Sequence, residues 1–162
     1  VKFLKKLTLI VPQKFGPPKI AKLYYCNNNI YHIPRYYMDD LVKFFAKYEK
    51  FFILPKQTEN TETAWLAFPL IIKPDSPFTR LELVTFLEKE NIQTRPIFTG
   101  NILKQPGFKK IEHRKVHDAF PNTELIMRNA FVVACHHGLN KNQITHLKAK
   151  FDEFLSRHKL TR

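Results

Sequence analysis

The stretch Thr94-Arg95-Pro96-Ile97-Phe98-Thr99-Gly100-Asn101-Ile102-Leu103-Lys104-Gln105-Pro106-Gly107-Phe108 orders the rest of the chain around itself. Residues ahead of a proline avoid the helical region, so Thr94 and Arg95 before Pro96 make 93–98 extended, and a loop follows. An arginine, a glycine, an asparagine and a glutamine fall within the eleven positions from Arg95 to Gln105. They alternate with apolar residues expected to anchor the segment from behind. Such a set suits a polar ligand better than a core.

Upstream, 80–90 is predicted to be a helix capped by Thr79 or Ser76, with Leu81, Val84, Phe86 and Leu87 as its apolar positions. Before it, 64–72 reads as a buried strand in which Pro69 implies an edge position or a bulge. Residues 56–63 read as a polar loop, and 51–54 as a short strand closed by Pro55. An amphipathic helix is expected at 36–51, with Tyr37, Leu41, Phe44, Phe45 and Tyr48 inward. Downstream, 111–120 is polar and basic, 122–128 a short helix and 130–135 a buried strand. A long helix closes the chain over 140–159, with Ile144, Leu147, Phe151, Phe154 and Leu155 on one face. The fold class is therefore α/β of the α+β kind, with two or three helices on one face of a small, mostly antiparallel sheet.

A chain of 162 residues accommodates one domain plus an appendage. The apolar share of 44% and aromatic share of 14% exclude disorder. The first 24 residues carry six lysines and no acidic residue, with Pro12, Pro17 and Pro18 breaking any helix and Asn27-Asn28-Asn29 reading as a turn. Residues 1–34 thus form a basic N-terminal extension, part of which is expected to pair as a strand or pack on a neighbour. A net charge of +13 and a pI near 9.8 point toward an anionic partner. The lysines are scattered, however, and the aromatics lie beside other apolar residues, which argues against nucleic acid. Cys26 and Cys135 lack any metal-ligand spacing, and a buried Cys135 suits a reducing compartment. No run reaches membrane-spanning length, so a cytoplasmic protein without membrane contact is expected.

From residue 64 onward the words resemble the C-terminal small domain of DegT-type sugar-nucleotide aminotransferases, which have the aspartate-aminotransferase fold. Trp65-Leu66-Ala67-Phe68-Pro69, Thr94-Arg95-Pro96-Ile97-Phe98, Gly100-Asn101-Ile102-Leu103-Lys104-Gln105-Pro106 and Pro121-Asn122-Thr123-Glu124-Leu125-Ile126-Met127 are similar to the 3-dehydratase branch. That branch comprises CDP-4-keto-6-deoxyglucose 3-dehydratases of the RfbH type, in lipopolysaccharide biosynthesis. The likeness departs at Cys135-His136-His137-Gly138-Leu139, where relatives have an aromatic and a proline before Gly-Leu.

The resemblance implies that 35–162 is a small domain of a pyridoxal-phosphate-dependent fold type I enzyme. Pyridoxal or pyridoxamine phosphate would be held by a large domain that these residues do not encode, and no cofactor is expected in this chain. Any iron-sulfur cluster would likewise belong to that other portion. The family is homodimeric, so self-association is expected. The substrate it implies is a nucleotide-linked 4-keto-6-deoxyhexose of O-antigen synthesis. A truncated or detached small domain is then unlikely to catalyse alone. The alternatives are a non-catalytic module binding a nucleotide sugar or a protein, and a basic nucleic-acid-binding domain.

Arg95, Gly100, Asn101 and Gln105 are the candidate substrate-binding residues. A guanidinium holds a diphosphate or sugar oxygen at two points, although a surface Arg95 paired with Glu90 or another carboxylate is the plainer reading. Asn101 and Gln105 offer amides to sugar hydroxyls, or Asn101 forms a turn. Gly100 admits close backbone approach, a positive φ, or both. Lys104 reads as solvated. His113 and His117, four apart, lack a third metal ligand. His136 and His137 have no nucleophile and orienting carboxylate beside them, so no catalytic residue is assigned.

Overall fold

The computed structural model describes residues 28–61, 63, 65–114 and 119–158, with backbone alone over 28–35. The expectations for strand pairing in the first 24 residues and for His117 lie outside the described residues. Helix α1 (Asn28–Ala46) leads through a turn to β1 (Phe52–Ile53) and β2 (Ala67–Ile72). Helix α2 (Arg80–Lys89) and strand β3 (Thr94–Pro96) follow, then two 3-10 turns (Ile102–Lys104 and Pro106–Phe108). Helix α3 (Pro121–Asn129), strand β4 (Ala130–Ala134) and helix α4 (Lys141–Arg157) complete the described chain.

The strands form one antiparallel sheet in the order β1-β2-β4-β3, so β4 inserts between β2 and β3. Strand alternation sends Phe68, Leu70 and Ile72 of β2, with Phe131 and Val133 of β4, to one face. Helices α1, α2 and α4 supply the buried side chains that pack on that face. Phe45 of α1 stacks on Phe68 with centroids 5.3 Å apart, and meets Phe151 of α4 edge-on at 4.8 Å and Phe52 of β1 at 5.7 Å. Phe78 extends the cluster to Phe154 at 5.2 Å. All five apolar positions expected in α4 are buried, and its start is fixed by a capping box between Asn140 and Gln143.

Three expectations need correction. Helix α1 begins at Asn28 and runs through Pro34, where a turn and then a later helix start were expected. Burial of Tyr37, Met38, Leu41, Phe45 and Tyr48 outweighs the local turn signals. In α2, Thr79 is the cap as expected, accepting from the Glu82 amide and donating its own amide to the Glu82 carboxylate. The inward face, however, is Leu83 and Leu87, while Leu81 is 75% exposed. Pro69 lies in a strand with neighbours on both sides, without a bulge in the pairing with β4. Lys73 donates to the Phe51 carbonyl at 2.8 Å, so odd-numbered amides of β2 point toward β1. Strand β1 is too short to reach Pro69, and the missing N–H therefore costs no ladder bond.

The opposite face of the sheet is also apolar. Ile53, Ala67, Pro69, Ile71, Val132 and Ala134 share it by register and are partly exposed, with Arg95 opposite Val132 at its β3 edge. A sheet face turned permanently to water ordinarily alternates to polar residues.

Phe45→Ala is expected to cost about 3–5 kcal/mol, because it removes a ring shared by three other elements. Leu81→Ala should stay within about 0.5 kcal/mol. Urea unfolding of both variants checks the contrast. Acid stability follows from Glu82, Glu88, Glu124 and Glu153. Each carboxyl is held below its usual value of 4.5, chiefly by hydrogen bonds from the Thr79 amide, the Thr94 hydroxyl, Lys104 and Lys150 respectively. A lowered folded pKa stabilises above the unfolded value and is lost as pH falls through the folded one. The thermal midpoint should therefore hold near neutrality and decline below about pH 4.5.

Candidate functional site

Strand β3 delivers the 94–108 segment to the edge of the sheet. Thr94 is buried, its amide and hydroxyl both donating to the Glu88 carboxylate, at 2.6 and 2.7 Å. Arg95 is exposed on the apolar outer face, and its charge helps to keep Glu88 ionised. The alternative partner named for it, Glu90, is taken by Lys150 at 2.7 Å.

Past Pro96 the chain turns sharply, with the Phe98 amide donating to the Pro96 carbonyl at 3.0 Å. Phe98 adopts φ 47° and Gly100 φ 66°. For a bulky aromatic this left-handed geometry costs on the order of 1–3 kcal/mol, sustained only where the surroundings dictate it. They do so here. A Cβ at Gly100 would lie 2.4 Å from Met127 Cγ, so α3 comes against the loop backbone at that point. The Asn101 amide reaches Met127 Sδ at 3.3 Å.

Asn101 is buried, and its side chain is engaged at both ends. Its Nδ2 donates to Glu124 Oε1 at 2.6 Å, and its Oδ1 accepts from the Leu103 amide at 3.1 Å, capping the first 3-10 turn. Lys104, exposed as expected, joins the same carboxylate, 2.7 Å from Glu124 Oε2. The Lys104 and Asn101 hydrogen bonds, in that order, hold the Glu124 carboxyl below its usual range. Gln105 is half-buried and its Nε2 donates to the Thr99 carbonyl at 2.8 Å. The loop is thereby tied at Gly100, Asn101, Lys104 and Gln105.

The apolar residues do not all anchor the loop from behind as expected. Phe98 is 80% exposed, and Ile102, Phe108 and Ile111 are also exposed. The anchor is instead Glu124 and Met127, more than twenty residues away, which no local pattern in the loop indicates.

Elsewhere, Cys135 is buried and its thiol is pushed up to about 12 by desolvation, which makes it a poor nucleophile. His136 Nδ1 accepts from the Gly138 amide at 3.1 Å, closing a local turn. His113 makes a local contact with the Ile111 carbonyl. Among the described residues no group of three or more His, Cys, Asp or Glu side chains could hold a metal. No described helix is long and apolar enough to cross a membrane.

The four-stranded sheet with helices on one face is shared with known enzymes. An Escherichia coli GDP-4-keto-6-deoxy-D-mannose-3-dehydratase with bound hydrated PLP superposes with TM-score 0.68 and 28% identity, covering 82% of this chain and 32% of that one. The class is thus the aminotransferase fold of pyridoxal-phosphate-dependent proteins, of which this chain spans a part. The chain belongs to the DegT/DnrJ/EryC1/StrS aminotransferase family, matched over residues 31–152.

Two curated relatives narrow the likeness. The lipopolysaccharide biosynthesis protein RfbH of Salmonella typhimurium is 36% identical over 105 residues, 65% of this chain and 24% of the relative. The GDP-4-keto-6-deoxy-D-mannose 3-dehydratase of E. coli O55:H7 is 37% identical over 93 residues, 57% of this chain and 24% of that protein. The chain therefore spans about a quarter of the relatives it matches. A groove of about 630 Å³ carries Lys73, Arg80 and Arg128, and Arg80 Nη1 donates to the Met127 and Ala130 carbonyls, at 2.8 and 3.1 Å.

Gly100→Ala is expected to destabilise by about 1–3 kcal/mol through its positive φ, with a clash against Met127 in addition. In a urea-unfolding double-mutant cycle, Met127→Ala should remove the Cγ and Sδ clashes but leave the close approach of its own Cβ, at 2.9 Å, and the φ cost, giving measurable but partial coupling.

Proposed function

We propose that this chain is the substrate-facing small domain of a PLP- or PMP-dependent sugar-nucleotide 3-dehydratase. Its substrate would be a nucleotide-linked 4-keto-6-deoxyhexose of lipopolysaccharide O-antigen synthesis in the cytoplasm, and it would not catalyse alone. The observation carrying this reading is the second apolar face of the sheet, which the described helices leave partly exposed and which bears Arg95 at its edge. A cofactor-bearing large domain, or a second copy in a homodimer, would cover that face and leave Arg95 on the rim of the enclosed space. The identity of more than one third to enzymes named as 3-dehydratases favours elimination over amino transfer.

The role of each candidate residue follows from its surroundings. Arg95 is the direct contact, a permanently charged planar donor suited to the diphosphate that links sugar and nucleoside. Gly100 lets the loop lie close on α3. Asn101 holds the loop shape through Glu124, and Gln105, whose Nε2 is given to the Thr99 carbonyl, offers its side-chain oxygen to sugar hydroxyls. The cofactor, when bound to the complete enzyme, supplies the electron sink for loss of the C3 hydroxyl, and nothing in the described residues substitutes for it.

Isothermal titration of the 162-residue chain with a nucleotide-linked 4-keto-6-deoxyhexose should show weak binding that Arg95→Ala reduces about tenfold, the order of one charge-assisted contact. Incubation of the same chain with PMP and that sugar should give no dehydrated product. Turnover by the chain alone would overturn this assignment.

A further inference from the structure

Phe98 remains unexplained by packing or by the contacts of the candidate site. It is a large apolar ring, 80% exposed, in a backbone conformation that non-glycine residues rarely adopt. The loop on either side is fixed. Pro96 is in register with Phe131, and beyond Phe98 the Gln105–Thr99 hydrogen bond, the Gly100–Met127 approach and the Asn101–Glu124 bond hold the chain. A glycine at 98 would adopt the same turn without strain, so the ring is presented outward at a conformational cost.

Its position selects what the ring meets. Phe98 is three residues from Arg95, at most about 10 Å along the chain, and the turn at Ile97 brings it nearer. A nucleoside diphosphate carries a doubly charged diphosphate at one end and a flat, polarisable base at the other. An exposed guanidinium in β3 and an exposed aromatic ring on the turn that follows it match those two ends. Lys104 is paired with Glu124 at 2.7 Å.

We infer that Phe98 is the base-stacking residue of the site, so that Arg95 takes the diphosphate and the Phe98 ring takes the face of the nucleobase. This rests on the reading that Arg95 binds a nucleotide-linked sugar. Stacking on a ring face uses a feature common to all bases, so the contact is indifferent to base identity.

The test titrates the 162-residue chain with GDP, CDP and dTDP, and separately with inorganic pyrophosphate. Phe98→Ala should weaken all three nucleotides about tenfold and leave pyrophosphate unchanged. Phe98→Tyr should retain nucleotide binding. Phe98→Leu, apolar but not flat, should lose it. Arg95→Ala should weaken nucleotides and pyrophosphate alike. Nucleotide binding that depends on Arg95 but is unchanged in Phe98→Ala, or fully kept in Phe98→Leu, overturns the stacking role and leaves the Arg95 reading standing. Failure of every probe to bind, or binding indifferent to Arg95, overturns both.

Discussion

Phe45 is the contact on which the architecture depends. It is the point where α1, β1, β2 and α4 touch a single side chain, stacked on Phe68 and edge-on to Phe52 and Phe151. Aromatic pairs in these geometries add about 0.5–1.5 kcal/mol each beyond burial alone. The first described helix is therefore joined to the last one across the sheet, and the covered face of the sheet is settled by that junction. The other face is left to meet something else. Everything argued about the site follows from this division, because Arg95 lies on the uncovered side by register with Val132.

The polar residues of the 94–108 loop divide into two kinds that look alike in sequence. Asn101 and Lys104 converge on one carboxylate, Glu124, and serve the loop itself. Arg95 and the ring of Phe98 face outward. A buried amide whose donor and acceptor are both engaged has little left for a ligand, whereas an exposed guanidinium beside an apolar surface has most of its donors available. In the proposed site the asparagine would set the shape and the arginine the charge.

Where a signal was strong and local, the sequence was legible. The 3.6-residue repeat of Ile144, Leu147, Phe151, Phe154 and Leu155, started by Asn140 and Gln143, gave α4 almost to the residue. In α2 the cap was readable but the buried face was not. Leu81, Leu83, Val84, Phe86 and Leu87 encircle a short helix, and only the sheet beneath decides that Leu83 turns in and Leu81 out. At the start of α1, three asparagines and a proline favour a turn locally, and packing of the following turns prevails. The site was half legible. Arg95 and Gly100 stand out by residue type and spacing, but the tie to Glu124 spans 23 positions and the backbone angle of Phe98 has no signature in a phenylalanine.

The short outer strands constrain how the domain can meet another polypeptide. Strand β1 offers two residues and β3 three, the last of them a proline without a backbone donor. An incoming strand would find too few free amides and carbonyls at either margin to extend the sheet. Assembly with a large domain or a second copy, as proposed, would therefore proceed broadside, side chain against side chain over Ile53, Ile71, Pro69 and Val132. That route rewards a partner of matching shape and gives no purchase to the indiscriminate backbone pairing that builds fibrils.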